Sequence, residues 1–143
     1  MSAIFVDTSS LVKYYYPEND SDRIETLLLK TRRIFISNLS VVEMASALMK
    51  KVRMGEMTKK DELSVWNVFL DDLQSSQFQM LVPDERHYGR AADIIRNLGA
   101  QHGIRTLDAL QIAVAQSAGN LAFLCADKVL AATAAELGMK VVS

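Results

Sequence analysis

Five short, mostly apolar runs set the strongest limit on how this chain can fold. They are Ala3–Val6, Ile34–Ile36, Gln79–Val82, Ala122–Cys125 and Lys140–Val142. A strand with one face in water alternates polar and apolar residues. These runs do not alternate cleanly, so both of their faces are expected to be buried. Strands of this kind, separated by stretches of helical spacing, build a mostly parallel sheet covered on both sides. The expected architecture is therefore α/β, a three-layer α/β/α sandwich with a mostly parallel central sheet. Right-handed crossovers then bring the carboxyl ends of the strands to a common edge. That edge is where open α/β sheets bind ligands.

The intervening helices carry their own boundary signals. Ser9 to about Tyr16 reads as a helix, stopped by Pro17 and the turn-prone Glu18-Asn19-Asp20. Ser21 to about Thr31 puts Ile24, Leu27 and Leu28 on one side, and Ser40 to about Arg53 is helical, breaking near Gly55. Thr58 caps a long helix to about Ser76, with Leu63, Trp66, Leu70 and Leu73 at three- and four-residue spacing. Val65, Trp66, Phe69 and Leu73 offer more apolar surface than one helix face needs. Most of it is assigned to the core and the remainder to a partner surface. Further helices run from Asp84 to a stop at Gly99, from Thr106 to a stop at Gly119, and over Lys128–Leu137 to Gly138. With 143 residues and no repeat or linker, residues 1–143 are expected to form one domain. No apolar run approaches the ~20 residues of a membrane helix, and MSAIFVD lacks the features of a signal peptide. The single cysteine, Cys125, excludes an internal disulfide and suits a buried thiol in a reducing cytoplasm.

Four carboxylates occupy the same kind of place. Asp7 directly follows the first run and Asp127 follows the fourth, while Glu43 and Asp108 lie in the expected first turns of helices. Each has a local explanation. Asp7 and Asp127 suit helix N-caps. Ser40 and Glu43 spell the S-x-x-E of a capping box. Asp108, after Thr106, favours a helix dipole. Asp84 has the same form and is read as a cap only. The functional reading rests on their sum. Brought together, four negative charges raise one another's pKa and destabilise the fold, and a cation removes the conflict. An all-oxygen set without histidine or cysteine suits a hard cation, Mg²⁺ or Mn²⁺. Such ions lower the pKa of a bound water and stabilise charge on a phosphate. Ser9 and Thr106 offer hydroxyls to orient a water or a carboxylate.

Charge is uneven along the chain although the net charge is −1. Residues 30–60 hold Lys30, Arg32, Arg33, Lys50, Lys51, Arg53, Lys59 and Lys60 against Glu43 and Glu56. Residues 61–95 reverse the balance, with seven acids against Arg86 and Arg90. The basic zone is a candidate surface for an anionic partner, or else a set of solvated helix faces.

The segments FVDTSSLVKYY, SNLSVVEMASAL, RTLDALQIAVA and FLCADKVLAATAAELG, in this order, resemble the PIN-domain family. The similarity is greatest to VapC-like toxins of toxin–antitoxin pairs and runs from residue 3 to about residue 142. The resemblance implies a Mg²⁺- or Mn²⁺-dependent ribonuclease. Asp7, Glu43, Asp108 and Asp127 match the family's four acids, and Ser9 the small polar residue after the first. Thr106 stands where some relatives carry a further acid, which puts a second metal in doubt. It also implies a homodimer, structured RNA such as tRNA or rRNA as substrate, and a small antitoxin whose tail enters the acidic groove. Since an acidic pocket repels RNA, affinity must come from a positive rim. Lys50, Lys51 and Arg53 are the candidate phosphate contacts, with Lys59 and Lys60 beyond them and Arg105 and Lys128 nearer the chemistry. Tyr14-Tyr15-Tyr16 is read as a helix end packed on the core rather than a base-stacking platform.

Three other readings remain at the level of sequence. A Mg²⁺-dependent phosphotransfer domain also places aspartates at strand ends, but Ser9, Ser37 and Asn38 stand where such folds want acids. A metal-free ribonuclease would use His87 and His102 as acid and base. A non-enzymatic module would use its carboxylates as caps and bind a small basic protein.

Overall fold

The computed structural model describes residues 1–142. Its five strands are β1 (Ala3–Val6), β2 (Arg33–Ser37), β3 (Gln79–Leu81), β4 (Ala122–Leu124) and β5 (Lys140–Val142). Every neighbouring pair is parallel, in the order β3-β2-β1-β4-β5. The seven helices are α1 (Thr8–Tyr15), α2 (Ser21–Leu29), α3 (Leu39–Arg53), α4 (Lys59–Gln74), α5 (Glu85–His102), α6 (Thr106–Ser117) and α7 (Lys128–Glu136).

The period-two geometry of β1 divides the core. Ile4 and Val6 face one way, packing with Leu11 of α1, Ile24 and Leu28 of α2, Met44 and Leu48 of α3 and Phe69 of α4. Phe5 faces the other way, among Ala91 and Ile94 of α5, Ile112 and Val114 of α6 and Leu130 of α7. Its ring stacks on Phe123 of β4, with centroids 5.8 Å apart. Helices α1–α4 therefore cover one face and α5–α7 the other, giving the three layers expected. Residues Ala109–Ala115 of α6 are all buried, as in a helix that is apolar nearly all round.

The chain lays down β1, β2 and β3 in one direction, then jumps through α5 and α6 to place β4 on the far side of β1. Strand order reverses between β1 and β4. A crevice opens at such a reversal because the connections leave the two strands toward opposite faces.

Several local expectations shift. Helix α5 does not stop at Gly99. It continues to His102 and closes at Gly103, whose φ of 67° is left-handed. A glycine ends a helix only where the chain takes up that conformation. The Ser40–Glu43 capping box is absent: α3 starts at Leu39 after Asn38, which makes no side-chain cap. Glu43 is thus the fifth residue of α3, beyond its first turn. On α4 the inward face is rotated, with Phe69 fully buried and Leu63 57% exposed. Val65, Trp66 and Leu73 pack against the core beside Phe69. The tyrosines also pack there: Tyr15 meets Phe69 edge-on and donates its hydroxyl to Asp72 of α4 at 2.5 Å.

Candidate metal centre

All four carboxylates line one cavity of about 460 Å³ at the reversal of strand order. Thr8, Ser9, Val12, Val42, Ser46, Ala47, Lys50 and Leu107 complete its wall. Asp7 reaches it because β1 ends there; its backbone N–H still donates to Leu124 of β4 at 2.9 Å. Asp127 arrives from the end of β4, Asp108 from the third position of α6, and Glu43 from α3.

The capping readings of Asp7 and Asp127 hold alongside this placement. Asp7 caps α1: its Oδ2 accepts from the Ser9 backbone N–H at 3.1 Å and from the Ser9 hydroxyl at 2.6 Å. Ser9 in turn accepts from the Ala126 N–H at 3.0 Å, so it joins the ends of β1 and β4 and orients the carboxylate. Asp127 caps α7 through Oδ1, which accepts from the Leu130 N–H at 3.0 Å. Glu43 is held by Oε1, which accepts from the Thr8 hydroxyl at 2.9 Å and from Gln111 Nε2 at 2.6 Å. Each of these three acids thus anchors one oxygen on the protein. Among the described residues the other oxygen of each has no hydrogen-bond partner.

Electrostatics reflect the crowding. Burial pushes the Asp7 carboxyl up to about 6, with Glu43 and Asp108 adding to the rise and the Ser9 bonds opposing it. Burial also raises Asp108, helped by Asp127 and Glu43 and countered by the Arg105 backbone and guanidinium. The buried Cys125 thiol lies 3.9 Å from Asp7 Oδ2. It is pushed up to about 12, chiefly by burial and then by Asp7, which leaves it no role as a nucleophile.

Four carboxylates on one wall, three of them with a free oxygen and two of them raised, fit a hard divalent cation in charge and donor type. Among the described residues, no three His, Cys, Asp or Glu side chains form a group that could hold an ion. Mg²⁺ does not require such a group, since it commonly takes one or two carboxylates, waters and substrate phosphates.

The other sequence candidates scatter. Lys50 lines the cavity, whereas Lys51 pairs with Glu18 and Glu56 and sits over the Tyr16 ring. Arg53 is exposed in the last turn of α3. Arg105, Thr106 and Lys128 are exposed at the starts of α6 and α7, outside the cavity lining. Asp84 is a cap, as expected, forming a capping box with His87. The two histidines serve unrelated contacts. His102 bonds Glu136. His87 Nδ1 accepts from the Asp84 N–H at 2.8 Å, so its Nε2 carries the proton and donates to Ser117 Oγ, which donates onward to Val114 O. Asp84, His87 and Ser117 spell a hydrolytic triad, but the protons run the wrong way for one. Thr8, the buried position of Ser40 and Gln111 were not anticipated from sequence. The available signal was a lone polar residue in the apolar run ALQIAVA, one turn beyond Asp108.

The sequence matches the family described as PIN domain over residues 4–136. No curated protein matches it. Among solved structures, it is similar to FitAcB from Neisseria gonorrhoeae, at 21% identity and a TM-score of 0.68, covering 98% of this chain and 96% of that one. It is similar also to VapBC-5 from Mycobacterium tuberculosis, at 20% and 0.60, covering 99% and 97%. VapBC2 from Rickettsia felis, bound to a DNA fragment from its promoter, is 18% identical with a TM-score of 0.59, covering 87% of each chain. At these identities the structural likeness is one of fold. With the sequence match spanning nearly the whole chain and the parallel sheet in place, the chain belongs to the PIN-domain family.

Proposed function

We propose that this protein is a Mg²⁺- or Mn²⁺-dependent endoribonuclease, the toxin of a toxin–antitoxin pair, working in the cytoplasm as a homodimer. The observation that carries the reading is the convergence of Asp7, Glu43, Asp108 and Asp127, from four separate segments, on one cavity. A purely structural set of caps has no reason to point four acids at one space, because their repulsion opposes folding. One or two of the free oxygens of Asp7, Glu43, Asp127 and Asp108 would hold the divalent ion directly, and the remaining acids would act through its waters. When bound, the ion lowers the pKa of a water and offsets charge on the phosphate under attack.

The chain's own groups do the rest. Ser9 keeps one Asp7 oxygen occupied and so turns the other outward. The starts of α1, α6 and α7 moderate the negative field. Lys50, on the cavity wall, is the first candidate for a substrate phosphate, and the exposed Arg53, Arg105 and Lys128 are further candidates. Lys51 is committed to its ion pairs with Glu18 and Glu56. The antitoxin is a small protein with a basic segment that enters the same acidic cavity. The solved toxin–antitoxin complex from Klebsiella pneumoniae, of similar fold, supports an antitoxin partner.

The test is cleavage of tRNA and rRNA by purified protein. Activity is expected with Mg²⁺ or Mn²⁺, with loss on adding EDTA and in Asp7→Asn. Cleavage that survives in Asp7→Asn would overturn the assignment. A non-enzymatic binding module has one observation in its favour, the genuine capping by Asp7 and Asp127. Absence of cleavage under every metal condition, with intact binding of a basic peptide, would favour it.

A further inference from the structure

Gln111 is fully buried in α6, three residues beyond Asp108. Its side-chain nitrogen lies 2.6 Å from Glu43 Oε1, 3.1 Å from Ser40 Oγ and 3.2 Å from Thr8 Oγ1. The Thr8 and Ser40 hydroxyls are 2.8 Å apart, and Thr8 donates to Glu43 Oε1 at 2.9 Å. The protons can be assigned by elimination. Thr8 spends its proton on Glu43, so Ser40 donates to Thr8 and accepts from Gln111. Every proton in the circuit therefore runs toward one oxygen of Glu43. Reversing the amide would set its carbonyl oxygen against the Glu43 oxygen that already accepts from Thr8, so the contact dictates the orientation.

The arrangement has a cost. Gln111 Oε1 is buried with no hydrogen-bond partner. An apolar side chain of similar volume would fill the space without that desolvation penalty, so packing alone does not account for a glutamine here.

We infer that Gln111 is a positioning residue for the acidic site: with Thr8 and Ser40 it clamps one Glu43 oxygen and leaves the other to face the cavity. It thereby ties α6, which carries Asp108, to α3 and α1. The functional consequence rests on the metal-dependent reading above; the clamp itself does not.

The test uses Gln111→Met, which keeps the volume and removes both donors, with Thr8→Val as a second variant. Mn²⁺ affinity is measured by calorimetry, with Tm in EDTA and crystal structures of the metal-free proteins. Removal of a group that orients a ligand typically costs about tenfold or more in metal affinity. The expected result is a loss of that size in both variants, with the Tm of Gln111→Met equal to or above wild type and Glu43 displaced from its place beside Thr8. Wild-type Mn²⁺ affinity in Gln111→Met, or an affinity loss matched by a fall in Tm with Glu43 unmoved, would overturn the inference. If the wild-type protein binds no Mn²⁺ and cleaves no RNA, the ribonuclease reading fails. The clamp is then decided by the crystal structure alone, Glu43 displaced supporting it and Glu43 unmoved overturning it.

Discussion

Asp7 does two jobs that pull in opposite directions. As the N-cap of α1 it stabilises the helix, a contribution of about 1 kcal/mol for such caps. As a buried acid beside Glu43 and Asp108 it is raised from 3.8 to about 6. A carboxyl with a raised folded-state pKa binds a proton more tightly in the folded protein. The stability it gains from that proton is fully present below about pH 4 and is lost as pH rises through about 6. The size is on the order of 3 kcal/mol. Asp7→Asn keeps a capping oxygen and removes the charge. In EDTA, the variant is expected to be more stable than wild type at pH 7.5, with the gap shrinking toward pH 4.5. Denaturant melts at both values check this, and a variant weaker than wild type at both would assign the residue to capping alone. At this scale the sequence was informative about Asp7, Ser9 and Asp127, because strand end and cap are written in adjacent residues. It was silent on Gln111, whose partners lie 68 to 103 positions away.

Helix α3 shows how one element sorts neighbouring residues of the same type. Lys50 and Lys51 are adjacent, and helical geometry turns them about 100° apart. Lys50 lines the acidic cavity; Lys51 faces the α1–α2 turn and pairs with Glu18 there. RNA binding of Lys50→Glu is expected to be weaker, with a salt slope reduced by about 0.7 for one lost single-strand phosphate contact. Lys51→Glu is expected to lower Tm and leave that slope nearly unchanged. Filter binding at several salt concentrations, with thermal melts, separates the two. Helix α5 gives a second case. Gly99 and Gly103 read alike, but only Gly103 is left-handed. Gly103→Ala is expected to cost about 1 kcal/mol in denaturant melts, because alanine is strained in that conformation. The sequence reading placed the stop at Gly99; which glycine the chain bends at depends on where the α5–α6 connection must turn.

For the molecule as a whole, the proposed metal-dependent function would couple folding to cation binding through the acidic cavity. A ligand that binds only the folded state stabilises it by about 2.7 kcal/mol at a hundredfold excess over Kd. Mg²⁺ or Mn²⁺ is expected to raise Tm, more at pH 7.5 than at pH 5, where the proton on Asp7 competes with the metal. EDTA is expected to reverse the rise, and Asp7→Asn to abolish most of it. Scanning calorimetry at the two pH values decides it; a Tm indifferent to either cation would separate the cavity from metal binding.

Fold class, helix positions, most caps and the four candidate acids could be read from the chain because they depend on periodicity and on residues a few positions apart. The strand order β3-β2-β1-β4-β5 could not. It arises from how the long α5–α6 crossover packs Phe123 against Phe5 and sets β4 beside β1. That packing turned separate strand ends into one cavity, moved Ser40 from a supposed cap into a buried circuit with Thr8 and Gln111, and singled out Lys50 from the basic zone. Local chemistry is a property of neighbours in sequence; a site is a property of neighbours in space.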